Sequence, residues 1–201
     1  MNSRRSFLII ILTSVLFWTK KSVYACNLTA KQPKGPFYKS SNKSVQIDLT
    51  NNGKAAGKKI QISGKVMDAE CKIYPNSIIK VWQANSFGKY NHINDLSKNK
   101  KDNNFSGYTT LKTDKNGFYK FFTVLPGPYK IAKNLYRPPH IHFSVITQNK
   151  KILNTQLYFK SHPLNINDFL YKRVQNKSSV EIDLRKDNNS DLHSGIFNFI
   201  I

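Results

Sequence analysis

The 201-residue chain is predicted to be an all-β protein, an antiparallel β-sandwich with long loops around a site and at most one short helix. Three observations point there. Short segments alternate apolar and polar residues with the period of two that a half-buried strand requires. Turn signals built on Gly, Pro, Asn and Asp separate them. Hydrophobic residues at 39%, with 13 Phe and 10 Tyr, supply a core for one domain, which excludes a wholly disordered chain and a polytopic membrane protein.

Residues 60–66 (IQISGKV) alternate and open the series. Residues 77–83 (SIIKVWQ) follow the Tyr74-Pro75-Asn76 turn. The polar, Asn/Lys-rich stretch 91–109 reads as one long surface loop, and loops of that length commonly carry function. Residues 118–124 (FYKFFTV) follow Asn116-Gly117, a dipeptide that favours a tight hairpin. Further strands are expected at 141–146, 155–159, 180–184 and 196–201. Only residues 167–174 (NDFLYKRV) read as a helix, short and with a capping residue at its start. Seven or more short strands separated by turns are the pattern of a sandwich, and no internal period of solenoid or propeller length recurs.

Lys and Arg number 32 against 11 Asp and Glu, a net charge of +21, and only five of the cations are Arg. The lysines are scattered among Asn and Ile, as in residues 99–104 (NKKDNN), and are not clustered with aromatics. That distribution describes a solvated surface and excludes a nucleic-acid face, while leaving a positive field that draws in small anions.

Residues 1–25 are expected to be a signal peptide. A short basic start precedes an apolar run at 7–17, too short to span a bilayer comfortably, and Val23-Tyr24-Ala25 sets up cleavage after Ala25. Ser3-Arg4-Arg5-Ser6-Phe7-Leu8 resembles a twin-arginine export signal. The protein is therefore expected to be exported, to the periplasm or beyond, with residues 26–201 as its domain and with membrane contact only if the N-terminal segment is retained. Removing 1–25 takes away four cations and leaves +17. An oxidising compartment lets Cys26 and Cys71 pair or stay as thiols, and Tyr24 is a poor residue for a lipidation box before Cys26.

Three stretches carry chemistry. In Arg137-Pro138-Pro139-His140-Ile141-His142, the two histidines are alternate residues of a strand, so they share a face with Cα atoms about 6.5 Å apart. Two imidazoles at that spacing can hold one metal, although a His-x-His is as readily a solvated pair. Leu125-Pro126-Gly127-Pro128-Tyr129 is a stiff turn that fixes where Tyr129 points. Phe87-Gly88-Lys89-Tyr90 ends a strand at the mouth of the long loop. A tyrosine in either place is by default a residue of the core edge. Taken with His140 and His142, however, Tyr90 and Tyr129 make a site of two imidazoles and two phenolates, and anionic oxygen donors suit a hard trivalent iron.

These stretches, with Gly35-Pro36-Phe37-Tyr38, Val81-Trp82-Gln83, Asn94-Asp95, Thr113-Asp114 and Thr155-Gln156-Leu157-Tyr158-Phe159, keep the order and spacing of one family. The chain resembles the intradiol ring-cleavage dioxygenases over essentially all of residues 26–201, and most of all their protocatechuate 3,4-dioxygenase β-chain type. The resemblance implies non-haem Fe(III) held by Tyr90, Tyr129, His140 and His142, with Tyr129 and His142 as the axial pair. It implies Arg137 beside the bound ring, Gln156 lining the same pocket, and Tyr129 releasing the metal to take a substrate proton. The implied reaction cleaves a small catechol with O2 to a cis,cis-muconate-type diacid, and the implied partner is an α-type chain or a second copy.

Two positions depart from the family pattern: Ile131 and Tyr136 stand where tryptophans are common. Both are pocket-wall changes, so they bear on the ring substituent and not on the metal. The short lead from Cys26 to Gly35 leaves no room for the helical N-terminal region of the catechol-specific branch. The alternatives are a secreted, non-catalytic β-sandwich binding module and a zinc or copper protein that uses only His140 and His142.

Overall fold

A computed structural model describes residues 25–39 and 46–201. Apart from Ala25, the expected signal peptide lies outside the described residues. In chain order the strands are β1 (Lys59–Met67), β2 (Ile78–Gln83), β3 (Tyr108–Lys112), β4 (Phe118–Val124), β5 (Tyr129–Ala132) and β6 (Leu135–Arg137). They continue with β7 (His140–Ile146), β8 (Ile152–Phe159), β9 (Glu181–Ile182), β10 (Arg185–Lys186), β11 (His193–Ile196) and β12 (Phe199–Ile200). Among the described residues one short helix, α1 (Phe169–Lys172), is capped by Asp168, and 3-10 turns precede and follow it.

Two five-stranded sheets form the sandwich. One has the order β10-β11-β1-β12 with β4 on β1; the other has the order β3-β2-β7-β8-β9. Every expected strand segment is present in one of them. The pairing is mostly antiparallel, with three parallel exceptions: β1 with β11, β1 with β12, and β8 with β9. The alternation in β1 buries Ile60, Ile62 and Val66 against the other sheet and leaves Lys65 outside. Phe143 of β7 meets Phe121 of β4 at 6.1 Å and Phe199 of β12 at 5.0 Å, so aromatics join the two sheets.

Two expectations are corrected, and one element was not expected. The Asn116-Gly117 turn forms, with Gly117 at φ 68° and Asp114 Oδ1 accepting from Asn116 N and Phe118 N. It is not a hairpin, because β3 pairs with β2 and β4 with β1; the turn carries the chain from one sheet to the other. The expected loop 91–109 ends earlier, as Tyr108 and Thr109 already belong to β3. Residues 129–137 form a two-stranded ribbon, β5–β6, which pairs with neither main sheet.

Cys26 and Cys71 are joined by a disulfide, which leaves no thiol for a lipid at Cys26. It anchors an N-terminal strap, residues 26–39, that lies along the second sheet. Gln32 N donates to Asn154 O at 2.8 Å, Thr155 Oγ1 donates to Ala30 O at 2.7 Å and Gln156 Nε2 donates to Pro33 O at 3.0 Å.

Candidate metal centre

Strand alternation decides where the site is. In β7, Ile141, Phe143 and Val145 enter the sandwich core, so His140 and His142 point to the other face. Register then builds a row on that outer face: Trp82 of β2 lies beside His142, which lies beside Gln156 of β8, and His140 lies beside Tyr158. The strap, the β5–β6 ribbon, the turn after β2 and α1 cover this face. All five of these residues are at most 1% exposed.

The imidazoles converge. His140 Nε2 is 3.2 Å from His142 Nε2 and 3.3 Å from Tyr129 Oη. His140 Nδ1 is 2.7 Å from Pro138 O, a carbonyl that accepts the Nδ1 proton and leaves the Nε2 lone pair free. The His142 ring stacks on Trp82 at 5.0 Å and 6°. Burial, with Arg137 nearby, pushes His142 down to about 3. The same two causes and the neighbouring His142 push His140 well below the usual histidine range. Burial thus favours the neutral form of both rings.

The two tyrosines arrive from loops that interlock backbone to backbone. Gly127 N donates to Asn85 O at 2.9 Å, and a Cβ at Gly127 would stand 2.4 Å from Ser86 O. A Cβ at Gly88 would stand 2.3 Å from Pro128 O, and Gly88 has φ +75°. No side chain fits at either point, so these glycines bring the turn before Tyr90 against the turn before Tyr129. Tyr90 N donates to Asp95 Oδ2 at 2.6 Å, Lys89 pairs with Asp95 Oδ1 at 3.3 Å, and Phe37 stacks on the Tyr90 ring at 4.3 Å. Among the described residues the Tyr90 Oη is buried with no hydrogen bond within normal distance, the Tyr129 hydroxyl lying beside it. Burial, then the neighbouring Tyr129, drives the Tyr90 phenol well above its ordinary value, and burial also raises Tyr129.

That donor set fits a hard cation. A buried hydroxyl with no partner is costly, and two high-pKa phenols beside two neutral imidazoles are four donors arranged for a positive charge. Among the described residues no group of three or more His, Cys, Asp or Glu side chains could hold a metal, so the two phenols are the oxygen donors available beside the paired imidazoles.

Arg137 ends β6 directly across from Tyr129 and is 6% exposed. Its Nε donates to Asp168 Oδ2 at 2.5 Å, and its Nη2 donates to Gln156 Oε1 at 2.6 Å and to Tyr158 Oη at 3.1 Å. Gln156 therefore sits behind the arginine as its support. Ile131 and Tyr136, the two departures from the family pattern, lie exposed on the ribbon. Sequence reasoning missed Asp168 as a site residue, although it marked the start of the helix that Asp168 caps. It also missed Tyr158, Trp82, Asp95 and Phe37 individually, all of which lie in motifs that carried the resemblance.

The family model described as Dioxygenase matches residues 34–201. Over 132 residues the chain is 38% identical to the protocatechuate 3,4-dioxygenase beta chain of Burkholderia cepacia, covering 62% of this chain and 56% of that one. It is 28% identical to the catechol 1,2-dioxygenase of Acinetobacter baylyi, covering 72% and 50%. The chain spans about half the length of the curated relatives it matches. Among solved structures, the dioxygenase domain of a carbohydrate-binding fusion protein from Streptomyces sp. SirexAA-E shares the fold, with TM-score 0.71 and 24% identity, covering 87% of this chain and 98% of that one. An intradiol ring-cleavage dioxygenase from Tetranychus urticae does so with TM-score 0.68 and 20% identity, covering 88% and 94%. With the family model spanning the ribbon, both tyrosines and both histidines, the chain belongs to the intradiol ring-cleavage dioxygenases.

Proposed function

We propose that this protein binds non-haem Fe(III) and cleaves a catechol-type, protocatechuate-like ring with O2 between its two hydroxyl-bearing carbons, giving a cis,cis-muconate-type diacid. One observation carries the reading: two neutral imidazole nitrogens and two phenols converge in a buried site in which the donors include no carboxylate. Tyr90, Tyr129, His140 and His142 would hold the ion. When bound, Fe(III) supplies Lewis acidity that fixes both catechol oxygens and withdraws electron density from the ring.

The chain's own groups do the rest. Tyr129, at 8% exposure more open than Tyr90 at 1%, would hold the ion as a phenolate, and its Oη would then take a proton from the incoming catechol. The Arg137 guanidinium stays charged at every working pH and stabilises the negative charge that develops on the ring. Gln156 and Tyr158 accept from its Nη2 and keep it from turning away. Phe37, Trp82 and the strap exclude water around the donors.

The test is optical. Iron-loaded protein is expected to be red-brown from phenolate-to-iron charge transfer, and anaerobic catechol, protocatechuate or hydroxyquinol should shift the band. Admitting O2 should then release the ring-opened diacid. His142→Ala should lose iron and colour together. A colourless protein carrying zinc or copper would overturn the reading in favour of a His-only site, and one that takes up no metal would leave a binding module.

Two further parts of the reading concern context. The twin-arginine-like pattern of residues 3–8 and the Cys26–Cys71 disulfide support a protein that works outside the cytoplasm. The relative named as a beta chain supports an α-type partner or a second copy, which light scattering of the protein alone would tell apart.

A further inference from the structure

We propose that Asp168 is a positioning residue for Arg137, locking the guanidinium so that one nitrogen, Nη1, is left to face the substrate. What Arg137 does rests on the functional reading above; how it is held does not. An arginine offers five N–H donors in a rigid plane. Three are spent inside the protein: Nε on Asp168 Oδ2, and both Nη2 protons on Gln156 Oε1 and Tyr158 Oη. Nη1 has no hydrogen-bond partner among the described residues. Its two protons are what remains for a ligand.

Asp168 is built for this task. The residue is 1% exposed, and its two oxygens divide the work. Oδ1 caps α1, accepting from Leu170 N at 3.0 Å and Tyr171 N at 2.8 Å, while Oδ2 takes Arg137 Nε. The next residue, Phe169, places its ring 5.6 Å from the guanidinium carbon. The β5–β6 ribbon makes no ladder with either main sheet. Asp168 therefore ties the end of the ribbon that carries Arg137 to a helix that supplies no metal donor.

The geometry also supplies the discriminating substitution. Asp168→Asn can keep the cap, since asparagine is as good an N-cap and its Oδ1 still accepts the backbone protons. Its Nδ2 then faces Arg137 Nε, donor against donor, and the lock is broken with the helix intact.

The first readout needs no activity: side-chain nitrogen NMR of the wild-type protein and of Asp168→Asn. In wild type the Arg137 Nε proton should exchange slowly, and the Nη1 and Nη2 signals should be resolved by hindered rotation, with Nη1 exchanging faster. In Asp168→Asn, Nε exchange should speed up at least ten-fold and the Nη signals should merge. The second readout is kinetic, on protein of matched iron content. Asp168→Asn should lower kcat about 10- to 100-fold, the scale of a misplaced catalytic group, with KM little changed. In an Arg137→Leu background the same substitution should cost nothing more, because Asp168 acts through Arg137. Averaged Nη signals in wild type would overturn the proposal without any variant having to fold. So would unchanged Nε exchange in Asp168→Asn, or losses that multiply in the double variant. A wild type that leaves every catechol intact but shows the expected NMR pattern would refute the functional reading and support the lock.

Discussion

Replacing Tyr90 by Phe should strengthen the metal-free protein and disable the metal-loaded one. The ring of Tyr90 is packed on both sides, by Phe37 at 4.3 Å and edge-on by Tyr129 at 5.4 Å, and a phenyl ring keeps both contacts. Only the hydroxyl is lost, and among the described residues it is buried with the Tyr129 hydroxyl beside it but outside hydrogen-bond distance. Leaving such a group unpaired costs about 1–3 kcal/mol, so its removal should return about 2 kcal/mol. For a chain of this size that raises Tm by about 4–8 °C. Iron reverses the order. A ligand present at 100 times its Kd adds about 2.7 kcal/mol to a protein that binds it, a gain that Tyr90→Phe should largely forgo. The assay is thermal unfolding of both proteins, first with chelator and then with Fe(III), alongside the visible spectrum. The variant should melt higher in chelator and lower with iron. If it melts at or below wild type in chelator, the hydroxyl is not an energetic burden. If it keeps iron with an unchanged band, Tyr90 is no ligand.

Four other outcomes are expected. Arg137→Leu should still take up iron and chelate a catechol but turn over about 100- to 1,000-fold more slowly; it should also lose about 3–5 kcal/mol of stability, because the buried Asp168 carboxylate is left without its cation. Cys71→Ser, or reduction of the disulfide, removes a cross-link over a sequence separation of 45 and should lower stability by about 4 kcal/mol, read as a fall in the denaturation midpoint against oxidised wild type. The metal-free protein should lose stability as pH falls below about 6.5. The unfolded chain takes up a proton there that folded His142, held down at about 3, refuses; by pH 5 this residue alone accounts for about 2 kcal/mol, with His140 acting in the same direction, and an unfolding series that stays flat from pH 8 to pH 5 would contradict it. Mass spectrometry of protein from the native cell envelope should find a chain starting at Cys26, and an intact Met1 or a lipid adduct on Cys26 would contradict export with cleavage.

Most of the sandwich was legible because strands such as β1 and the first half of β4 alternate with a period of two, as the inward Ile60, Ile62 and Val66 of β1 do. What period cannot state is the partner. Asn116-Gly117 marks a turn correctly, but nothing local says that the strands on either side join different sheets. The β5–β6 ribbon escaped notice because both its faces meet solvent between its ends: residues 130–136 are exposed throughout and carry no alternation to detect. The four proposed metal donors stand out in the sequence as residue types at suitable spacing. The support around them was not, since Asp168 and Tyr158 reach Arg137 only after β8 and α1 have been folded onto β7, across separations of 31 and 21 residues.

The strap has a consequence for the order in which the protein can be made. Its residues leave the ribosome early, yet they dock on residues that leave late. Thr29 exchanges hydrogen bonds with Ile200, at 3.1 Å through its own N and at 2.9 Å through its Oγ1, and Gln32 waits for Asn154 and Tyr158. Contacts of such sequence separation cannot form on a nascent chain whose C-terminal strands are still in the exit tunnel. The face that carries the four proposed donors therefore lacks its cover until residues 154–158 and 200 have emerged.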